Sequence, residues 1–478
     1  MARLRRIEKS LTEGGLGGSI WRLALPMMVG GALQNLFSMV DLYFIGRLGH
    51  VQVAGLAIAG TVIAVMVMLV QGIAVGTTAL VAHFTGGKNY GMADEVLGQT
   101  LVLGFLGSIV MLAVSLYAVK PLLMLFGATG DVLRYAAEYL RIIFGLSLTI
   151  FLFVGINQAL RGAGDARTPL KALVIANIVN IILDPMLIMG YGPFPQLGIA
   201  GSAVATVTSR GIGLVFLILH TTVGHSAIQL RLKHFKPDAV LMKRIISIGS
   251  FASLQVLIRE MSMLMLMRLV SSFGAITLAA FGIGARLRAF IIVPGFGFAN
   301  AAAVTVGQNM GAGKPKRAAK SGWRTVLYYE VIAIPIAVLF IIFAPRLVGI
   351  FSHNAEVTDI GATFLRFLAV TLPFLAFSLI LGQGMNGAGD TRTPTIVNAT
   401  GQLGFRIPLA YLLALTAGMG STGIWLGINA SDITQGIGMA LLFQVGYWQK
   451  VYAKHKVALR SKSLAVTTDT GPPPAETG

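Results

Sequence analysis

Runs of about twenty apolar residues recur from one end of the chain to the other, separated by short polar breaks. Each is long enough to cross the hydrocarbon core of a bilayer as a helix. The pattern predicts twelve such spans. The first six fall near 20–46, 51–82, 96–119, 133–157, 169–190 and 198–221. The second six fall near 245–271, 276–307, 323–345, 357–382, 394–416 and 421–448. The short alternating segments of a membrane β-barrel are absent. The first apolar run carries no small-residue cleavage site, so it reads as a helix and not as a removable leader.

One phrase occurs twice in this pattern, as Arg161-Gly-Ala-Gly-Asp-Ala-Arg-Thr-Pro169 and as Asn386-Gly-Ala-Gly-Asp-Thr-Arg-Thr-Pro394, an offset of 225. The same offset pairs Gly49 with Gly274, Phe126 with Phe351, Leu140-Arg141 with Leu365-Arg366 and Gly198-Ile199 with Gly423-Ile424. A constant offset over that distance means a duplication with almost no net insertion, and its length is far beyond a solenoid period. Six spans per half is an even number, so both halves enter from the same side. The fold expected is an all-α membrane protein: twelve transmembrane helices in two six-helix lobes related by a pseudo-two-fold along the membrane normal. The lobes are expected at 1–221 and 245–462, with a linker at 222–244 and a disordered tail at 463–478.

Composition agrees with that class. Hydrophobic residues make up 55% and charged residues 12%, against about 25% charged in a soluble domain. There is no cysteine, which excludes disulfides and thiolate chemistry. The formal net charge is +19, and its placement gives it meaning. If the spans alternate, Arg3, Arg5, Arg6 and Lys9, then Arg161, Arg167 and Lys171, the linker cations Arg231, Lys233, Lys236, Lys243 and Arg244, then Lys314, Lys316, Arg317 and Lys320, and finally Lys450, Lys454, Lys456, Arg460 and Lys462 share one face. The other face carries Arg47, Lys120, Arg134, Arg268 and Arg346. The positive-inside rule then places both termini and the linker in the cytoplasm of a multi-pass plasma-membrane protein. The basic balance needs no nucleic-acid partner.

Ionisable groups inside spans are costly and seldom idle. Asp41 sits about one and a half turns from the outer end of span 1, and Gln34, Ser38 and Asp41 share one helix face. Asp184 sits near the outer end of span 5, on a stripe with Asn177 and Asn180. Ser202 and Thr206 open span 6 at the same depth. Two carboxylates, an amide and a hydroxyl there form either a hard-oxygen cation site, with Na+ at Asp41, Asn180 and Asp184, or a pair of acids sharing one proton. Polar residues on membrane helices often only bond their neighbours. Two acids without a basic residue at their depth in spans 1, 5 or 6 are too costly for that. Their duplicates are Leu266 and Leu409, so the site belongs to the first lobe. In the second lobe Glu260, beside Arg259 in span 7, reads either as a structural ion pair with Arg286 of span 8 or as a second proton- or drug-binding acid.

Pro26 in span 1 and Pro294 in span 8 sit inside helical patterns and predict kinks. Gly162-Ala-Gly-Asp165 and Gly387-Ala-Gly-Asp390 match the GxGD signature of intramembrane aspartyl proteases. Each copy, however, lies in an arginine-flanked loop before Thr-Pro, which reads as a turn and a helix start. No HExxH, GxSxG or P-loop is present. The chain reads as a transporter, not an enzyme, with no cofactor beyond a coupling H+ or Na+.

Leu25-Pro26-Met27-Met28 followed by Asp41 and Gly46-Arg47-Leu48-Gly49, the duplicated loop, and Asn180-Ile-Ile-Leu-Asp184-Pro185 resemble the multidrug and toxic compound extrusion (MATE) transporters, specifically the DinF-like branch. The resemblance spans essentially residues 15–450. It implies two lobes forming a V open to one side, and export of small organic, often cationic, molecules driven by inward H+ or Na+. It implies a first-lobe ion site on Asp41, Asn180, Asp184 and Ser202, with Gln34 and Asn157 as further polar positions. Position 37 is Phe where related members can carry tyrosine. Glu260 resembles the span 7 acid of the NorM-like branch, but no span 10 aspartate accompanies it. The reading is a monomeric secondary exporter working by alternating access. A lipid-linked sugar flippase, with a cationic cavity for a polyprenyl pyrophosphate lined by Arg259, Arg286 and Arg288, is the alternative.

Overall fold

The computed structural model describes residues 11–223 and 226–450. The expected disordered tail and the basic clusters at the two termini lie outside them, Lys450 excepted. Twelve crossings follow in chain order: span 1 (Leu16–Gly46), span 2 (His50–Gly86), span 3 (Tyr90–Tyr117), span 4 (Gly130–Gly145 with Ser147–Gly162), span 5 (Arg167–Met189) and span 6 (Ile199–Thr222). Then come span 7 (Ala239–Ser271), span 8 (Ala275–Gly311), span 9 (Pro315–Gly349), span 10 (Ala355–Gly387), span 11 (392–416) and span 12 (Gly420–Val445). Among the described residues, nine helices qualify as crossings by length and apolarity, and the two halves of span 4, bent by 53°, make a tenth. Spans 11 and 12 complete the count. Span 11 is divided by π-helical turns at Thr400–Arg406 and Leu412–Thr416, and span 12 is diluted by Asn429, Asp432 and Gln435.

The duplicated loop is a helix-starting device. Asp165 Oδ1 accepts from the amides of Arg167 and Thr168, both at 3.0 Å. Asp390 Oδ1 accepts from the Thr393 amide at 3.1 Å. Each thereby satisfies amides that the first turn leaves unbonded. The preceding Gly164 and Gly389 have φ of 95° and 90°, a region that side chains avoid. The GxGD aspartates are caps and not a catalytic pair.

The lobes exchange the linker-side halves of their first helices, while the outer ends, Ile45 of span 1 and Leu266, Leu269 and Val270 of span 7, pack in their own lobes. Leu16, Ile20 and Leu23 of span 1 lie in a core with Ile291 and Phe298 of span 8 and residues of spans 9, 10 and 12. Their counterparts at the offset of 225, Leu241, Ile245 and Ile248 of span 7, lie in the first lobe's core with Val81 and Leu97. Close approaches across the seam repeat the symmetry. A Cβ on Gly72 would strike Ser253, and one on Gly297 would strike Met28. The same offset interchanges these contacts. They draw on the linker-side halves of spans 1, 2, 7 and 8, where Ser253 Oγ also donates to the Met68 carbonyl at 2.8 Å. The V is therefore closed at the linker side, and Pro26 and Pro294 lie inside the helices that form it.

Candidate functional site

Span 1, rooted in the second lobe, carries Asp41 into the first. Span 5 presents Asn180 and Asp184 one turn apart on the face that meets it. The Asn180 amide donates to Asp184 Oδ1 at 3.2 Å and reaches Asp41 Oδ1 at 3.5 Å. Asp41 is 8% exposed, and Asn180 and Asp184 are fully buried. Pro185, next to Asp184, supplies no N–H to the helix. Ser202 and Thr206 of span 6 are buried as well, and Thr206 is within reach of Asp41. The carbonyl of Asn180 and the hydroxyl of Ser202 have no hydrogen-bond partner, and Asp184 and Thr206 approach Asp41 without a well-formed hydrogen bond from their remaining oxygens. Buried polar atoms are normally paired. A set of hard oxygens short of partners is suited to a proton or a small cation.

Of the four residues expected to bind the ion, Asp41, Asn180 and Asp184 are joined by hydrogen bonds, while the supporting residues divide. Asn177 donates to the Leu173 carbonyl at 2.8 Å and Asn157 to the Phe153 carbonyl at 2.7 Å, so both serve their own helices. Gln34 is exposed to a cavity of about 470 Å³ that Asn157, Thr206, Arg161 and Arg210 also line. One neighbour escaped sequence reasoning. Arg210, one turn beyond Thr206 in span 6, lies over the Phe37 ring at 5.4 Å and within electrostatic reach of Asp41 and Tyr139. Although Arg210 starts deeper in its span than the acids do in theirs, they do not stand without a cation nearby. The stripe Ser202, Thr206, Arg210 at i, i+4, i+8 was the available signal.

The second lobe departs further from expectation. Glu260 contacts its neighbour Arg259 at 3.4 Å, both about half exposed, and does not pair with Arg286. Arg286 is exposed and lines no part of the cavity. Two residues along a helix point to nearly opposite sides, so it is Arg288 that turns inward. Asp432 of span 12 accepts from Arg288 at 2.8 Å and from Arg406, in the π-helical turn of span 11, at 2.6 Å. These three residues, with Arg259 and Glu260, line a cavity of about 550 Å³. At the offset of 225 their first-lobe counterparts are Ile63, Ile181 and Val207. Each lobe has its own charge cluster, absent from the other. Glu330 of span 9 is a further buried acid whose oxygens have no partner.

Comparisons with known proteins bear on this arrangement. The MatE family model matches residues 26–186 and again 252–412. The chain is 26% identical over 461 residues to the probable multidrug resistance protein YoeA of Bacillus subtilis, covering 94% of this chain and 98% of that protein. It is 26% identical over 432 residues to the probable multidrug resistance protein NorM of Thermotoga maritima, covering 90% and 92%. A solved structure described as the outward-facing conformation of a multidrug resistance MATE family transporter aligns with TM-score 0.85 and 25% identity, covering 94% of this chain and 100% of that one. A family model that fits each copy of the repeat, on a fold whose halves trade the linker-side ends of their first helices, makes the chain a member of the MatE family of membrane transporters.

Proposed function

We propose that the protein is a secondary active exporter of small organic molecules, driven by protons that enter through Asp41 and Asp184 in the first lobe. The observation that carries this reading is the Asp41–Asn180–Asp184 bridge, two buried acids joined by one amide between a helix rooted in each lobe. Relatives at 26% identity are described as probable multidrug resistance proteins, which supports export of organic compounds.

A proton needs only a share of the two carboxylates, whereas Na+ would need about five or six oxygens; Arg210 near Asp41 repels either cation alike. Should Na+ be the coupling ion, the oxygens of Asn180, Asp184, Ser202 and Thr206 would be its donors. Placing the basic linker in the cytoplasm makes the closed end of the V cytoplasmic and the cavities outward-open. The ion site and both cavities are built within one chain, which suits a working monomer. The arginines of the cavities do not favour the organic cations that the family resemblance implied, and they are the one observation favouring the lipid-linked sugar flippase.

The test is probe-dependent proton flux in sodium-free proteoliposomes under an imposed pH gradient. We expect flux with at least one organic probe from a panel of both charges. Flux that needs Na+ at fixed pH would reassign the ion. No flux with any probe, with or without Na+, would remove the exporter reading.

A further inference from the structure

We infer that the second-lobe cavity binds an organic anion, with its acidic group against Arg288 and Arg406 and its aromatic body along Phe281 and Phe364. The inference rests on the exporter reading only for the direction of travel; the binding site stands on its own geometry.

Asp432 is 4% exposed and accepts from both guanidinium groups. One carboxylate between two arginines leaves a positive charge uncompensated. A purely structural ion pair would match one to one; here the unmatched charge faces the cavity, where an anion can reach it. The arginines also have donors to spare. Each guanidinium carries five N–H groups, and the Nε of both Arg288 and Arg406 has no partner. The neutral oxygen of the cavity lining that lacks a partner, on Gln402, can orient a ligand but supplies no charge. Across the cavity wall, three arginines face two acids, Glu260 and Asp432. The first-lobe cavity has the same sign: its charged lining residues are Arg161 and Arg210. A carboxylate, sulfonate or phosphate would complete the charge and accept the free N–H groups. A volume of about 550 Å³ is drug-sized, and Phe281 and Phe364 pack on Trp425 at 5.9 Å and 4.2 Å as a rigid aromatic wall.

The test compares two probes that share a ring and differ in charge, 2-naphthalenesulfonate and 2-naphthyltrimethylammonium. Their binding to the purified full-length protein in nonionic detergent is measured by equilibrium dialysis, with protein-free micelles subtracted. The sulfonate should bind at least about tenfold more tightly than the ammonium. Arg406→Gln should weaken sulfonate binding about tenfold. If that variant fails to fold, Arg259→Gln, at a half-exposed position, should weaken it in the same direction. Arg286→Gln, outside the cavity, should leave it unchanged. Equal or tighter binding of the ammonium, or sulfonate binding untouched by both Arg406→Gln and Arg259→Gln, would overturn the inference. Geranyl diphosphate displacing the sulfonate at lower concentration would keep the anion site and assign it to a lipid-linked diphosphate. Binding needs no gradient, so failure of transport in vesicles and failure of this site are separate results.

Discussion

Gly86 packs its bare Cα against the carbonyl of Gln308, and the step of 225 residues turns this contact into that of Gly311 with the carbonyl of His83. A side chain at either glycine would collide with backbone, which cannot give way as a flexible side chain can. Both contacts join spans 2 and 8 at the linker end. Gly86→Leu and Gly311→Leu should therefore each open the linker-side seam, and to a similar extent. Spin labels on cysteines at Lys88 and Lys316, both exposed in a chain with no native cysteine, would report it as a longer distance. An unchanged distance in both variants would show that this seam does not hold the V shut.

Asp41→Asn and Asp184→Asn should insert in the membrane normally and abolish ion-coupled flux, because each removes a titratable carboxylate from the pair. Glu260→Gln should be milder, because its carboxylate meets only the neighbouring Arg259 at 3.4 Å. Normal pumping by both aspartate variants, with transport lost in Glu260→Gln, would move the ion site to the second lobe.

Orientation can be read by thiol labelling. Tyr191, between spans 5 and 6, is 57% exposed, and Leu232, in the linker, is 90% exposed. A cysteine at Tyr191 should react with an impermeant reagent in intact cells. One at Leu232 should react only after permeabilisation. The opposite pattern would invert the topology and make the closed end of the V extracellular.

The linker is pinned to span 3 through Gln99. Its side-chain amide donates to the His234 carbonyl at 3.0 Å and the Lys236 carbonyl at 2.8 Å, and its oxygen accepts from the Asp238 amide at 2.9 Å. Burial pushes the His234 imidazole below the ordinary histidine range, with Asp94 opposing and Lys233 and Arg231 adding to the effect. The docked linker thus holds His234 neutral. Releasing it favours the proton, so docking should be full above about pH 6.5 and weaken as pH falls below it. Amide exchange over 228–238, corrected for intrinsic rates, should speed up at low pH. His234→Gln should flatten that response, and an identical slope in the variant would assign the pH dependence elsewhere.

Much of this was legible in the chain. The constant offset of 225 sets the pairing of helices, because a duplication preserves both span length and loop chemistry. Asp41 and Asp184 stand out because a carboxylate in an apolar run has few innocent explanations. What was hidden depends on rotation about a helix axis and on contacts far apart in sequence. Arg288 and Asp432 are 144 residues apart, and nothing local says that Arg288 faces inward while Arg286 faces out. The π-helical turn that holds Arg406 also has no sequence signature, since it is a one-residue excess in an otherwise helical run.

Span 1 is planted in one lobe and charged in the other, and this bears on how such a transporter can change over generations. Its root, Leu16 to Leu23, belongs to the second lobe's core, while Asp41 belongs to the first lobe's acid pair. The ion therefore acts on the far lobe through a lever and need not touch the cargo. Mutations around the arginines of spans 8 and 11 can then retune what is carried without disturbing what powers it. Selection for a new cargo and preservation of the engine fall on different residues.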